Sequence, residues 1–324
     1  MKHFSAALLI ALLFSCQGSH ETKLVKLEGL IFGTVYHISY QPTTKQSLQS
    51  SIDSLFVLVN KSLSTYLPSS DISKINSGYT TIVVDDFFVE VFEKSKRIHK
   101  TTEGYFDPTV GSLVNAWGFG PKHEKKTLDS AEVAAFMNYV GLDKVQLRNN
   151  KVLKQNQKTY LDFNSIAKGY GIDVIARFLE SKQIVDYLVE IGGEIRARGT
   201  NEKGSYWKVA IEKPNTDGSQ SFQKIIELKN QSMATSGNYR KFRMSKDGKK
   251  YVHTVNPKTG FATESDVLSA SVIANLDCAD VDAYATAFMA MGFEKAKKIV
   301  TKQNQLKVFF IYLDTDGNIA EYAN

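Results

Sequence analysis

The segment at residues 277–292 constrains this sequence more than any other, because it places a carboxylate inside an apolar helix. The segment reads DCADVDAYATAFMAMG, with no Pro and no Gly before its last residue, and Ala, Met and Phe dominate its second half. This composition predicts a buried helix. A buried helix should exclude carboxylates, because an unpaired buried charge is costly. The presence of Asp282 therefore requires an explanation.

Two interpretations of Asp282 are open from this segment alone. Thr286 follows one helical turn later on the same face, and a carboxylate with a hydroxyl forms a pair of hard oxygen ligands of the kind that Mg²⁺ accepts beside substrate phosphates. Alternatively, Asp282 lies in the first turn of the helix, faces the positive end of the helix dipole, and Thr286 is merely packed. The other segments of the chain bear on this choice.

The N-terminus has the pattern of a secretory signal peptide. Residues 1–15 read MKHFSAALLIALLFS, a short basic start followed by an apolar run that is too short to span a bilayer. The LFSC box that ends at Cys16 resembles a bacterial lipoprotein cleavage site. It predicts that Cys16 is lipidated, that residues 16–24 form a tether, and that the exported lipoprotein is anchored to a bacterial membrane, facing the periplasm or the cell exterior. A plain signal peptide or an ordinary membrane anchor is the alternative.

Composition bounds the other possibilities. Hydrophobic residues make up 43% of the 324, which is ample for a core. Without residues 1–15 the formal charge falls from +6 to +5, because 39 basic and 34 acidic residues remain. This charge suits anionic small molecules or anionic lipid surfaces, and no basic run interleaved with aromatic residues indicates nucleic acid. With Cys16 lipidated, Cys278 has no partner, so we expect no disulfide and a small packed thiol at the start of its helix.

Hydrophobic periodicity predicts a mixture of strands and helices in residues 25–324. This length allows one large domain or two lobes, and because no repeat or long linker divides the chain, we expect interlocked lobes. Gly33 interrupts a strand pattern, which indicates a bulge or a close approach to the backbone, and the pair Gly192-Gly193 interrupts another, which indicates a second close approach. Asp107 before Pro108 predicts a helix start with Asp107 as the N-cap. The predicted helices cover residues 48–62, 86–101, 130–139 and 277–292, with another from near 165; the predicted strands cover residues 24–41, 145–161, most of the chain from 187, and 306–322.

Three further features are candidates for binding or catalysis. The segment LDFNSIAKGYGID at residues 161–173 predicts a strand, a loop and a helix whose first N–H groups could meet an anion, with Lys168 offsetting phosphate charge. An ordinary capped helix explains these residues about as well. Tyr66 lies in a polar loop and could stack on a planar ligand. His253 precedes a turn, and its spacing alone favours a structural role. Neither a P-loop nor a G-x-G-x-x-G motif is present.

Eight segments together resemble one family, the bacterial FAD:protein FMN transferases of ApbE type. They span essentially the whole chain after the signal segment and follow one another in the family's order, which makes the set specific although each segment alone is weak. The segments are FGT (32–34), STYLPSSDISKIN (64–76), GYFDPTVGSLVNAWGFGP (104–121), DFNSIAKGYGID (162–173), EIGGEIRARG (190–199), ATSGNYR (234–240), HTVNPKTG (253–260) and DVDAYATAFMAMG (280–292).

The resemblance implies an enzyme that binds FAD in a cleft between the lobes of an α+β fold. Such an enzyme cleaves the pyrophosphate with Mg²⁺, transfers FMN to a Ser or Thr hydroxyl of a partner protein and releases AMP. The chain has no Ser/Thr-Gly-Ala-Ser/Thr sequence of the family's acceptor type, so the acceptor is expected to be another protein. The chemistry agrees with the residues, because phosphoryl-type transfer depends mainly on charge neutralisation and alignment.

The resemblance also assigns individual residues. The metal ligands would be Asp282, Thr286 and an oxygen of Ser165, its backbone carbonyl. His253 would assist deprotonation of the acceptor hydroxyl, and Asp282 is the second residue expected to be catalytic. The positions at which the family contacts FAD are Phe32, Tyr66, Tyr105, Phe106, Asp107, Asp162, Lys168 and Thr263.

This sequence departs from the family pattern at three positions. Phe32 replaces the methionine usual before Gly-Thr and keeps the position apolar. Asn256 replaces the usual Asp before Pro, which is compatible with the same turn. Ala285 stands where some members carry another carboxylate, so a water would complete the Mg²⁺ shell or the affinity would be lower.

Three alternatives to the transferase are open. The first is FAD hydrolysis to FMN and AMP in the same cleft, with water as the acceptor. The second is a non-catalytic flavin-binding lipoprotein; Asp282, Thr286, Asp162 and His253 together argue against it, since plain binding requires no metal pair. The third is a secreted α+β domain whose motifs are only structural.

Overall fold

The computed structural model describes residues 24–121, 127–212, 222–238, 242–244, 250–262 and 265–324. The predicted signal segment, the lipidation site Cys16 and the predicted FAD contact Thr263 lie outside these residues. Among the helices of the described residues, none combines the length and the apolar character that crossing a bilayer requires.

Helices and strands alternate irregularly along the chain. The helices are α1 (Gln49–Leu63), α2 (Asp71–Asn76), α3 (Asp86–Thr101), α4 (Gly111–Ala116), α5 (Ser130–Met137), α6 (Ala167–Ser181), α7 (Cys278–Met291) and α8 (Phe293–Lys302). The strands are β1 (Val25–Ile31), β2 (Thr34–Tyr40), β3 (Val145–Arg148), β4 (Lys151–Lys154), β5 (Tyr187–Ile191), β6 (Glu194–Arg198), β7 (Trp207–Glu212), β8 (Phe222–Leu228), β9 (Gln231–Gly237), β10 (Phe242–Met244), β11 (Lys250–Val252), β12 (Val267–Ala274), β13 (Lys307–Leu313) and β14 (Ile319–Ala323).

One antiparallel sheet of eight strands organises the fold. Its strand order is β1-β2-β5-β6-β9-β12-β13-β14, and three further strand pairs are β3-β4, β7-β8 and β10-β11. Side chains of β13 alternate between two cores, as the two-residue period of a strand requires: Val308 and Phe310 belong to the main core with α6 and α7, whereas Phe309 and Ile311 pack with the β7-β8 pair. The predicted α+β class is confirmed, and the division into two lobes stays a prediction.

The interruptions at Gly33 and at Gly192-Gly193 are hairpin turns, so a bulge at Gly33 is wrong. The close approach expected at Gly192-Gly193 is confirmed, because a Cβ atom at Gly192 would overlap the Thr34 side chain. Ile31 pairs with Thr34, which leaves Phe32 and Gly33 as a two-residue turn with φ of 52° and 74°. Gly192 and Gly193 form the equivalent turn between β5 and β6, with φ of 63° and 105°. Two-residue turns whose twist matches the flanking strands need positive φ at both central residues, and glycine adopts it without steric cost.

The helix predicted to begin at Pro108 begins at Gly111, so Asp107 is not its N-cap. Asp107 Oδ1 instead accepts hydrogen bonds from the amide and the hydroxyl of Thr109. This local bond to the N–H two residues later closes a turn, which competes with helix formation at the same residues. The helix expected from near Ser165 begins at Ala167.

Helix α7 is buried along its whole length, with Thr286 as its one residue that is not fully buried. Its first amides are satisfied by α6, because the Asp173 carboxylate accepts hydrogen bonds from the N–H groups of Cys278 and Ala279 at 2.8 and 2.9 Å. Asp282 is the fifth residue of α7, beyond the first turn. The interpretation of Asp282 as a first-turn charge is therefore wrong, whereas the predicted packed thiol of Cys278 is confirmed.

Asp277, directly before α7, holds the start of this helix to three other elements. Its carboxylate accepts hydrogen bonds from Lys94 of α3 at 2.7 Å, from Arg177 of α6 at 2.7 Å and from Arg196 of β6 at 2.6 Å. Burial on its own would raise the pKa of Asp277, but the bond and charge of Lys94 and the charges of the two arginines bring that pKa well below its usual range. The ionised carboxylate therefore stabilises the fold.

Replacing this carboxylate, as in Asp277→Asn, should destabilise the protein at neutral pH and make it less sensitive to acid. The folded-state pKa of Asp277 is depressed, so its stabilisation is present above the unfolded-state pKa of about 4 and is lost as the pH falls below it. We expect a loss of about 2 kcal/mol in the free energy of unfolding at pH 7. Urea denaturation at pH 7 and pH 3 measures it.

The exposed pair of Glu93 and Lys96 provides the control for this experiment. Glu93→Gln should change the free energy of unfolding by less than about 1 kcal/mol, because solvent screens such pairs. A difference between wild type and Asp277→Asn that is as large at pH 3 as at pH 7 would contradict the electrostatic explanation.

Candidate functional site

The carboxylate of Asp282 lies at the junction of α6 and α7. Its Oδ2 atom accepts a hydrogen bond from the Gly169 amide at 3.1 Å, and its Oδ1 atom lies 4.0 Å from Lys168 Nζ. The residue is buried, and this burial raises the pKa of Asp282 against the opposing effects of the Lys168 charge and the Gly169 bond. A Cβ atom at position 169 would overlap the Cys278 carbonyl, so only glycine allows the two helix starts to approach this closely.

A second buried carboxylate, Glu194, completes this cluster. Lys168 Nζ lies 2.6 Å from Glu194 Oε1, while Glu194 Oε2 is buried and has no hydrogen-bond partner among the described residues. Burial raises the pKa of Glu194 to about 7, with the Lys168 charge lowering it and the Asp282 charge raising it further. The sequence prediction did not include Glu194. Its strand pattern does not distinguish it from Glu190, which instead contacts His37 on the sheet.

The other two predicted metal ligands lie on α7 and just before α6. Thr286 is partly buried, and its hydroxyl lies 3.4 Å from Ser236 Oγ of β9. Ser165 lies in the turn that enters α6, where the Phe163 carbonyl accepts hydrogen bonds from the two residues that follow Ser165. The described residues contain no group of three His, Cys, Asp or Glu side chains able to hold a metal. A cation here would therefore depend on hydroxyl, carbonyl and ligand oxygens beside Asp282, a ligand set that suits Mg²⁺.

One feature of the structure indicates that this cluster could accommodate a cation. Glu194 Oε2 is an orphaned buried carboxylate oxygen, and such atoms are costly unless a partner satisfies them. With Asp282 and Glu194 ionised and Lys168 protonated, the cluster also carries one uncompensated negative charge. A divalent cation would supply the missing positive charge.

Tyr66 and Asp162 form a second part of the candidate site. Tyr66 is exposed, and the pKa of its phenol is raised by partial burial and by the charges of Asp162 and Tyr160. Asp162 is buried; its Oδ1 atom accepts a hydrogen bond from the Asn164 amide at 2.8 Å, and burial raises its pKa. Its backbone N–H donates to the Pro108 carbonyl at 2.7 Å, which joins this part to the segment at residues 105–109.

The segment Tyr105–Asp107 has one partly buried and two buried side chains. Tyr105 accepts a hydrogen bond from Lys295 Nζ, and Lys258 Nζ lies 5.9 Å from the centre of its ring. Phe106 is fully buried in the main core. Both carboxylate oxygens of Asp107 are used internally, Oδ1 by Thr109 and Oδ2 by the Leu142 amide at 3.2 Å. The observed bonds of Asp107 shape the loop, and its predicted contact with FAD stays a prediction.

His253 belongs to a loop that is held beside α7. His253 is partly buried, and the adjacent Thr254 donates a hydrogen bond to Asn238 at 3.1 Å, two residues after Ser236. Asn256 Nδ2 in the same loop donates to the Ala290 carbonyl near the end of α7 at 3.1 Å. The loop is therefore linked to the strand that contacts Thr286 and to the helix that carries it.

Phe32 reaches the same region from the β1-β2 turn. A Cβ atom at Gly171 would overlap the Phe32 ring, which shows that the ring lies directly on α6, two residues after Gly169. The ring also meets Phe56 edge-on, with centroids 5.9 Å apart. Left-handed backbone at a bulky aromatic residue is uncommon, and such strain persists where the surroundings fix it, as this packing does.

The described structure has two cavities of interest, and only one of them lies beside predicted site residues. One of about 290 Å³ is lined by Asn256, Asp266 and Lys295, so it adjoins the loop of His253 and the Tyr105 contact. The other, of about 430 Å³, lies near Asp277 and is lined by none of the predicted site residues. The larger cavity is not the candidate site, because its charged groups already pair with one another.

The structure thus relates the predicted residues through three groups of contacts. Lys168 and Asp282 cluster directly with Glu194, and Thr286 follows one turn later. Asp162 lies close enough to affect the pKa of Tyr66 and is bonded to Pro108, directly after the segment at 105–107. Phe32 lies on α6. His253 is connected through Asn238. A position for Ser165 within bonding distance of a cation stays a prediction.

Comparisons with known proteins identify the family of this chain. The family model described as the ApbE family matches residues 32–310. The FAD:protein FMN transferase of Haemophilus influenzae is 36% identical over 325 residues, which cover 96% of this chain and 92% of that protein. The same-named protein of Vibrio cholerae is 37% identical over 332 residues, covering 100% of this chain and 97% of that protein.

The likeness extends to three dimensions. The solved structure of the flavin transferase ApbE from Vibrio cholerae superposes on this chain with a TM-score of 0.83 and 37% identity, covering 93% of this chain and 97% of that one. The matched region contains every described residue of the candidate site. The chain belongs to the ApbE family.

Proposed function

We propose that this protein is an FAD:protein FMN transferase. The observation that carries the proposal is the buried Asp282 carboxylate beside Lys168 and Glu194 at the junction of α6 and α7, in a chain whose family relatives bear that name. Such a charged cluster contributes little to stability, because burying charges is costly, and a role in handling a pyrophosphate explains its presence.

The reaction replaces the phosphoanhydride bond of FAD with a phosphate ester bond to the acceptor. The hydroxyl oxygen of a Ser or Thr on the acceptor protein attacks the phosphorus of the FMN half of FAD. A new P–O bond forms, the bond to the bridging pyrophosphate oxygen breaks, and AMP leaves with that oxygen. The hydroxyl proton passes to His253, a group suited to proton transfer near neutral pH. No oxidation or reduction is involved.

Asp282, Thr286 and the backbone carbonyl of Ser165 would hold a divalent cation in this proposal. When bound, Mg²⁺ supplies neutralisation of the charge that develops on the pyrophosphate oxygens. Lys168 contributes a second positive charge from the start of α6. Burial of Asp282 strengthens these interactions because the local dielectric is low.

The remaining predicted residues would hold FAD itself. Tyr66 offers an exposed ring for stacking, and Phe32 offers an apolar surface at the start of the sheet. Asp162 and the segment Tyr105–Asp107 lie together through the bond between Asp162 and Pro108, so they would contact one part of the ligand. Thr263 completes the proposed set. A Ser- or Thr-containing protein is the second substrate.

Export and lipidation belong to the same proposal. The LFSC box at residues 13–16 supports cleavage before Cys16, with acylation that anchors the protein to a membrane. In cells, Cys16→Ser should move the protein from the membrane fraction to the soluble fraction, and mass spectrometry of the wild type should find acyl chains on Cys16. An unmodified Cys16 in membrane-bound wild type would contradict lipidation.

The transferase proposal predicts FMN attachment to an acceptor. Full-length protein should be incubated with FAD and Mg²⁺, with and without a peptide that carries an acceptor Thr. Chromatography measures AMP, and mass spectrometry measures the peptide. We expect a peptide that gains the mass of FMN, and AMP release that depends on the peptide. AMP and free FMN at equal rates without the peptide would indicate a hydrolase, and bound FAD without AMP a flavin-binding protein.

Two aspartates of α7 provide the variant and its matched control. Asp282→Ala should abolish the Mg²⁺-dependent reaction and retain its circular dichroism spectrum. Asp280→Asn removes a buried carboxylate that pairs with Arg97 and Lys94 on the other side of the helix start, so it should lower stability but keep the reaction. Unchanged turnover in folded Asp282→Ala would remove Asp282 from the metal site.

Replacing His253 should slow transfer to the acceptor more than it weakens the binding of FAD. Because it assists deprotonation of the hydroxyl, His253→Gln should slow peptide flavinylation by about 10² to 10⁴-fold while leaving the dissociation constant for FAD within about threefold. Raising the pH should recover part of the rate, since hydroxide can replace a missing base. Equal losses in FAD binding and in transfer would instead indicate that His253 only shapes the site.

A further inference from the structure

Lys168 stands between two buried carboxylates but bonds to only one of them. Its ammonium group is 2.6 Å from Glu194 Oε1 and 4.0 Å from Asp282 Oδ1. The side chains of Glu194 and Asp282 are 5% and 3% exposed, whereas that of Lys168 is 30% exposed. Of these three side chains, that of Lys168 is the most exposed and has the most room to move. The ion pair with Glu194 therefore determines where its ammonium group lies.

The two oxygens of Asp282 differ in consequence. Oδ2 accepts a hydrogen bond from the Gly169 amide, at the place where α6 and α7 are in close contact. Oδ1 lies 4.0 Å from the Lys168 ammonium and accepts no hydrogen bond from the described residues. If Glu194 were absent, the ammonium could move about 1 Å and form a direct ion pair with Oδ1, because unpaired buried charges attract strongly at low dielectric. Such a pair would occupy the oxygen that a cation needs.

We propose that Glu194 is a positioning residue that holds Lys168 away from Asp282 and so keeps Asp282 Oδ1 open to a divalent cation. The inference rests on the proposed role of Asp282 as a metal ligand. It also gives the second buried carboxylate a role, because Glu194 binds the ammonium of Lys168 without having to be a metal ligand itself.

The test uses Mn²⁺ alone as the probe, with full-length protein and no FAD. Electron paramagnetic resonance measures free Mn²⁺, and so gives the dissociation constant without any reaction. Glu194→Gln preserves the shape of the side chain but frees Lys168, and we expect Mn²⁺ binding to weaken about 10- to 100-fold. Glu227→Gln, which breaks the exposed pair with Lys208 far from the site, is the matched control and should leave the affinity unchanged.

Removal of the lysine separates positioning from ligation. In the double variant Glu194→Gln/Lys168→Met no ammonium remains to block Asp282, so Mn²⁺ affinity should return to within about threefold of wild type. Lys168→Met alone should bind at least as tightly as wild type, an effect that a structural role of the ion pair does not produce. This single variant keeps the inference testable even if Glu194→Gln fails to fold. Weak binding by either folded Lys168→Met variant would overturn the inference, and weak binding by the double variant alone would indicate that Glu194 is itself a ligand.

Asp282→Ala distinguishes failure of this inference from failure of the proposed site. If wild type binds Mn²⁺, Asp282→Ala does not, and folded Glu194→Gln binds as tightly as wild type, only the positioning role of Glu194 is overturned. If Asp282→Ala binds as well as wild type, the metal assignment itself is overturned, and the positioning role with it. Thermal unfolding of each variant establishes that it is folded before affinity is compared.

Discussion

The close contact between the starts of α6 and α7 is the interaction on which the rest of the structure depends. Gly169 allows the two backbones to meet at the Cys278 carbonyl, and the Gly169 amide donates a hydrogen bond to Asp282. Four residues later Asp173 satisfies the first amides of α7. One helix therefore provides both the cap that stabilises α7 and the donor that orients its internal carboxylate.

Charges buried at this junction fall into two groups with different consequences. Around Asp277, three cations surround one carboxylate and lower its pKa, so the group stabilises the folded chain. Around Asp282, one cation faces two carboxylates, and burial raises the pKa of both acids. The first group is electrostatically satisfied and the second is not. An unsatisfied group that the fold retains at a cost in stability is typical of a functional site.

The sheet and its loops bring the other site residues to this junction. The β1-β2 turn places Phe32 on α6, and β9 leads from Ser236 beside Thr286 to Asn238, which holds the loop of His253. Asp162, which lies five residues before the start of α6, donates a backbone hydrogen bond to Pro108 in the segment at residues 105–109. The region that matches the ApbE family, residues 32–310, contains all of these residues.

The sequence by itself determined most of the elements and the residues of the proposed chemistry. Periodicity predicted the α3 helix, the β3-β4 hairpin and the buried α7, because these depend on neighbours within a few residues. Resemblance of eight segments indicated Asp282, Thr286 and His253. Only the tertiary structure decided that Asp107 shapes its loop and that the ammonium of Lys168 pairs with Glu194 more closely than with Asp282. The Glu194–Lys168 pair joins residues far apart in the chain, and the role of Asp107 depends on which of two competing local hydrogen bonds forms. Neither outcome can be read from a local sequence pattern.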